Sequence, residues 1–168
     1  MGLFVQNTDF IGYKSIAQDK YTTERLNYYI DKFEKRYLVD LLGCDLYDLF
    51  IADLDIDNLP TSPIYQTIFN EICIDDDCDI HRSAGIPEML TCFIYWEFVK
   101  DQNFSNTVTG FVEASHELGE GANLYKTNVT EIYNDAVESY YTIQWYICEN
   151  ENDYLEFNGQ RKGKTSWL

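Results

Sequence analysis

From Leu26 onward apolar side chains return every three or four residues, at Leu26, Tyr29, Ile30, Phe33 and Tyr37, and the series runs through Leu41 and Leu42 to Gly43. That spacing places one apolar stripe along a helix. Thr22 and Thr23 offer hydroxyls for its N-cap, and Gly43 offers a stop. Asp45 then caps a shorter predicted helix with Leu46, Leu49 and Phe50 on one face. Residues 53–60 read as a loop. Ser62 followed by Pro63 signals the start of a third helix, carrying Ile64, Ile68 and Ile72 and ending in the stretch CIDDDCDIH, residues 73–81. Pro87 opens a fourth, and between Met89 and Val99 it shows Leu90, Cys92, Phe93, Ile94, Tyr95, Trp96 and Phe98 with no clear polar face. A helix apolar all round must be covered all round, at the centre of a bundle or by a neighbouring subunit. In a chain of this size the neighbouring subunit is a serious option.

The helical period disappears from Asn103 to Asn123, where Thr107 to Val112 alternates weakly ahead of Gly119 and Gly121, as in a short hairpin or a long loop. The last helix is the clearest: Ile132, Ala136, Tyr140, Ile143 and Ile147 face one way, and Glu131, Asp135, Glu138 and Thr142 the other. Spanning about Asn128 to Cys148, it would be roughly 30 Å long. Residues 1–20 show no period and read as an N-terminal arm, and residues 151–168 as an extended tail. The expected fold is therefore mainly α, a small bundle of four to five helices over 21–150, with a β-hairpin or long loop inserted at about 103–124 before the last long helix.

Composition narrows the chemistry. The 168 residues are 45% hydrophobic, enough for the core of one domain. The acidic residues number 29 against 12 basic ones, a net charge of −17 that repels a duplex or an anionic membrane surface. Five cysteines without regular spacing point to thiols in a reducing compartment. No basic leader, lipidation signal or spanning run is evident, so a soluble protein is expected.

Cys73, Cys78 and His81, with Cys92 or an aspartate as a fourth, could be imagined around zinc, but paired C-x-x-C knuckles are absent and Cys73 falls where the third helix is due an apolar residue. The alternating carboxylates Asp75, Asp77, Asp79 and Asp53, Asp55, Asp57 have the spacing of a calcium loop. Ile80 and Asn58 stand where that loop needs glycine, and Ile86 and Ile64 where it needs glutamate. Ser115, His116 and Glu117 are immediate neighbours and cannot form a triad by that adjacency. There is no phosphate-binding or dinucleotide-binding glycine pattern. Neither an enzyme nor a metal or cofactor site is expected, and residues 73–81 are read as an acidic turn between helices.

Two charge features stand out. Between Arg36 and Arg82 there is no Lys or Arg, while Asp and Glu occur eleven times. The last ten residues hold Arg161, Lys162 and Lys164, with Trp167 and no acid. Fourteen tyrosines bring aromatics to 16%, as suits either an aromatic core or an interface.

The run RYLVDLLG ending at Gly43 and continuing CDLYDLF to Phe50, the apolar helix opened by Pro87, the Thr109-Gly-Phe-Val112 loop and the helix from Tyr133 to Ile147 together resemble the head–tail connector, or adaptor, proteins of tailed bacteriophages. The likeness covers roughly residues 22 to 150 and is nearest to the crAss-like phages of Bacteroides-type hosts. It implies a structural virion protein without catalytic residues, made in the bacterial host cytoplasm. Copies, usually about twelve, would form a homo-oligomeric ring in the neck below the portal protein and continue the DNA channel toward the tail. Genomic DNA would pass without specific binding, since negative walls repel phosphates. Under this reading the subunit interface is expected at Phe93, Trp96, Phe104, Phe111, Leu124 and Tyr125, and docking onto an adjacent connector or tail component at Arg161, Lys162, Lys164 and Trp167. The alternative is an acidic intracellular protein that mimics DNA and inhibits a nucleic-acid enzyme.

Overall fold

A computed structural model describes residues 2–76, 79–107, 110–113 and 119–160, with side chains described outside 76, 79 and 102–127. Helix α1 runs Lys20–Leu42 and begins before the two threonines, because the Asp19 carboxylate accepts the N–H groups of Tyr21 and Thr22, both at 3.1 Å. An ionised carboxylate satisfies orphan donors at a helix start and complements its dipole. The helix stops at Gly43, whose φ of +83° suits glycine, and α2, Cys44–Ala52, starts at once. A Cβ at position 43 would lie 2.8 Å from the backbone of Asn158, so the residue also lets the C-terminal segment pass closely.

Helix α3, Pro63–Phe69, follows Ser62 and Pro63 as expected but ends short of Ile72, which opens a strand. The acidic turn expected at 73–81 is instead a hairpin: β1, Ile72–Asp76, pairs antiparallel with β2, Asp79–Ser83. The partner that stabilises it lies far along the chain, on α5, Gly119–Glu149. The Thr142 hydroxyl donates to the Arg82 carbonyl at 3.0 Å, the Ser139 hydroxyl donates to the Ser83 oxygen at 2.9 Å, and the Ala84 N–H donates to Ser139 at 2.9 Å.

Helix α4, Ile86–Asn103, leads into a second antiparallel hairpin, β3, Phe104–Thr107, with β4, Gly110–Glu113, and then into α5. This is the mainly helical architecture with a hairpin before the last long helix that the periodicity indicated. Helix α5 starts at Gly119, not near Asn128; two glycines weaken a helix by only about 1 kcal/mol each, so they do not end it. The apolar face all round α4 is covered within the chain. Helices α1 and α5 flank it, and Leu90, Phe93 and Ile94 are completely buried alongside Tyr140 and Ile143. A neighbouring subunit is not needed for that purpose.

The N-terminal segment read as an arm lies on the body. The Glu34 carboxylate on α1 accepts N–H groups from Leu3 at 2.6 Å, Phe4 at 3.2 Å and Val5 at 2.9 Å, while Val5 and Phe10 are buried. At the other end Tyr154 is buried, and the N–H groups of Asn158 and Gln160 donate to the carbonyls of Leu42 at 3.2 Å and Asp40 at 2.6 Å. The Tyr140 hydroxyl lies between the carbonyls of Asp40 and Gln160, and Gln144 donates to Leu41 and Gln160, both at 3.0 Å.

Candidate interaction surfaces

Of the six residues expected at a subunit interface, two have described side chains. Phe93 is fully buried, its ring stacked on Tyr37 with centroids 4.3 Å apart. It is an internal core residue. Trp96 is half-buried, its ring 4.6 Å from that of Tyr133 and capped by the Lys100 ammonium at 4.4 Å from the centroid. Its buried Nε1 finds no acceptor among the described residues. The side chains of Phe104, Phe111, Leu124 and Tyr125 lie outside the described residues, as do Arg161, Lys162, Lys164 and Trp167.

The candidate metal ligands diverge. Cys73 pairs with Arg82 and Ile74 with His81. Directly paired residues share a face and successive residues alternate, so Cys73 and His81 point to opposite sides of the ribbon. His81 rests on Trp145, centroids 5.1 Å apart. Cys73 is exposed rather than buried, because β1 replaces the turn of helix that would have hidden it. Cys92 lies elsewhere, buried in α4. Cys78, Asp77 and the triplet Ser115, His116 and Glu117 lie outside the described residues. In the other acidic run the carboxylates close their own loop. Asp55 Oδ1 accepts from the N–H groups of Asp57 and Leu59, both at 2.9 Å, and Asp53 accepts from the N–H groups of Thr61 and Ser62, both at 2.8 Å. Desolvation alone would raise the Asp53 carboxyl, but the hydrogen bonds from Ser62 and Thr61 outweigh it and hold the pKa below the usual range.

Two surfaces emerge. One is acidic: Asp45, Asp48, Asp55, Asp57, Glu71 and Asp75, six carboxylates of the basic-free run between Arg36 and Arg82, are all exposed. Ile56, 96% exposed, stands among them. The other is a groove of about 750 Å³ between the N-terminal segment, the end of α3 and the first turns of α4. Phe4, Phe69 and Pro87 supply apolar wall, and Asp9, Glu71 and Glu88 supply charge.

Lys14, only 4% exposed, closes the inner side of that groove. Its ammonium is ion-paired with Glu88 and lies 3.8 Å from Cys92 Sγ, while the Tyr13 hydroxyl donates to Glu88 at 3.3 Å. Burial, and the nearby Glu88 and Asp135 carboxylates, push the Cys92 thiol up to about 12 against the opposing pull of Lys14. A thiol that stays protonated is neither a nucleophile nor a good metal ligand. The cluster fastens the N-terminal segment to α4. Pattern reading missed the groove because residues 7–9 and 12–14 form single 3-10 turns, too short to show a period. The isolated apolar residues Val5, Phe10 and Ile16 were the available signal.

No family model, curated protein or solved structure matches the chain.

Proposed function

We propose that the chain is a structural ring protein of a tailed-phage head–tail connector, a portal-proximal adaptor whose copies surround the DNA channel and present a docking surface to the tail. The observation that carries this reading is the order of elements: the apolar helix α4, an inserted hairpin and the 31-residue α5, following the glycine-separated pair α1 and α2. That order matches what the resemblance implies. A solvent-facing run of carboxylates supports it further, since a channel wall must let DNA slide and therefore should not hold phosphates. Segment 161–168, basic and aromatic, is the docking arm.

The deciding experiment is solution mass by light scattering over a concentration series, alone and with a portal protein, with negative-stain images of any large species. A closed ring in either condition supports the adaptor. A monomer throughout, with no portal-bound ring, removes it.

The exposed carboxylates favour one other reading, an acidic DNA mimic that blocks a nucleic-acid enzyme. Such a protein would compete with duplex DNA for a basic partner, and the competition would weaken as salt rises.

A further inference from the structure

We propose that the basic segment 161–168 of one copy docks in the acidic, apolar-walled groove of the next copy. This rests on the ring reading and deepens it, because it names what the docking arm grips: a neighbour in the same ring, in place of the adjacent component expected from charge alone.

The groove offers the complement of that segment. Its volume of about 750 Å³ lies in the range of cavities that accept ligand-sized groups, enough for an indole and its neighbours. Phe4 and Phe69 line it with rings 5.4 Å apart, and Pro87 adds a further apolar face. Ile11 and Tyr13 stand at its rim, 69% and 67% exposed. Lys14 is turned inward onto Glu88, so Asp9 and Glu71, both exposed, leave the groove net negative. The segment RKGKTSWL brings three cations, no acid, and an apolar pair at Trp167 and Leu168. Buried aromatic anchors with charged flanks are the usual composition of a docking hot spot.

The geometry points to docking between copies. Gln160 is held by Asp40, Tyr140 and Gln144, none of which lines the groove. The anchor of the segment and its acceptor therefore share no residue. That is what a ring needs, since its contacts join two unlike patches head to tail. Eight extended residues reach roughly 26–29 Å beyond Gln160.

The test uses the full chain with p-benzoylphenylalanine in place of Trp167, as a mixture of isotopically light and heavy protein. The mixture is irradiated at a concentration where light scattering shows oligomers, then mapped by mass spectrometry. The expected result is mixed-isotope crosslinks to residues 8–13, 69–71 or 84–91. In the same background Glu71→Lys should lower their yield roughly two- to fivefold, and adding Lys164→Glu should restore it. Circular dichroism would check that each variant is folded. Crosslinks confined within one copy, or absent from the groove in a sample that forms a closed ring, overturn the docking and leave the ring reading standing. A chain monomeric at every concentration, with or without a portal protein, overturns both.

Discussion

Tyr37 on α1 and Phe93 on α4 stack face to face, with centroids 4.3 Å apart and planes inclined by 6°, and the Tyr37 hydroxyl donates to Glu97 one turn further along α4, at 2.9 Å. Tyr140 of α5 meets the same Phe93 ring edge-on at 6.1 Å. Three helices thus share one aromatic node. Burial and the Glu97 charge hold the Tyr37 phenol protonated far above its ordinary range, so the node stays neutral throughout the physiological range.

Removing that node should be among the most damaging single changes to the fold. Phe93→Ala is expected to lower unfolding stability by about 3–5 kcal/mol, while Tyr37→Phe, which keeps the ring and loses the hydrogen bond to the Glu97 carboxylate, should cost less, about 1.5–3 kcal/mol. Denaturant midpoints of the two variants check this. A Phe93→Ala protein as stable as the parent would mean that α4 is not packed as described.

The Lys14–Glu88 ion pair predicts an asymmetry. Lys14 is 5% exposed along its side chain and Glu88 42%, so each leaves a different orphan behind. Glu88→Ala strands a buried ammonium and should cost about 3–5 kcal/mol, whereas Lys14→Met leaves a carboxylate that water can reach and should cost less than about 1.5 kcal/mol. Equal losses in chemical denaturation would argue against this placement of Lys14.

The Asp53 and Glu34 carboxylates should respond oppositely to pH. Asp53 titrates below its unfolded value, so its contribution is complete above the ordinary carboxylate range and fades as pH falls through its folded pKa. The stability difference between the parent and Asp53→Asn should therefore be present at neutral pH and vanish in acid. Glu34 is raised by burial, with the three backbone N–H groups only partly opposing it. Its ionised form is the costly one, so its contribution improves as pH falls from neutral through its folded pKa and is complete below the unfolded value. Urea titrations of Asp53→Asn and Glu34→Gln across pH would show the two signs. A parallel response of both would contradict the assignment.

Thiol labelling should separate the cysteines. Cys44, Cys73 and Cys148 are exposed and should react with a maleimide in the native protein. Cys92, buried with a pKa near 12, should react only once the chain unfolds. Peptide mapping after brief labelling with and without denaturant tests this directly.

Local chemistry made much of the helical framework readable. The three- and four-residue spacing that begins at Leu26, the Ser62-Pro63 start and the stripe from Ile132 to Ile147 each describe hydrogen bonds and an apolar face formed within one segment. For the same reason Gly43 could be read as a break, and charge could be counted without knowing any contact. What covers those faces was not written locally. Phe93 reads equally well as an interface or a core residue until Tyr37 and Tyr140, distant in sequence, are placed against it. The strand pair at 72–83 depends on Ser139 and Thr142, and the N-terminal segment on the carboxylate of Glu34. The groove exists because three segments without a common period meet beside Lys14 and Glu88. The sequence by itself determined the helical stripes and the sign of the surface, because those follow from neighbours in the chain. Tertiary structure alone decided which apolar faces are hidden and where a cleft is left open, because burial is settled by surfaces brought together from far apart.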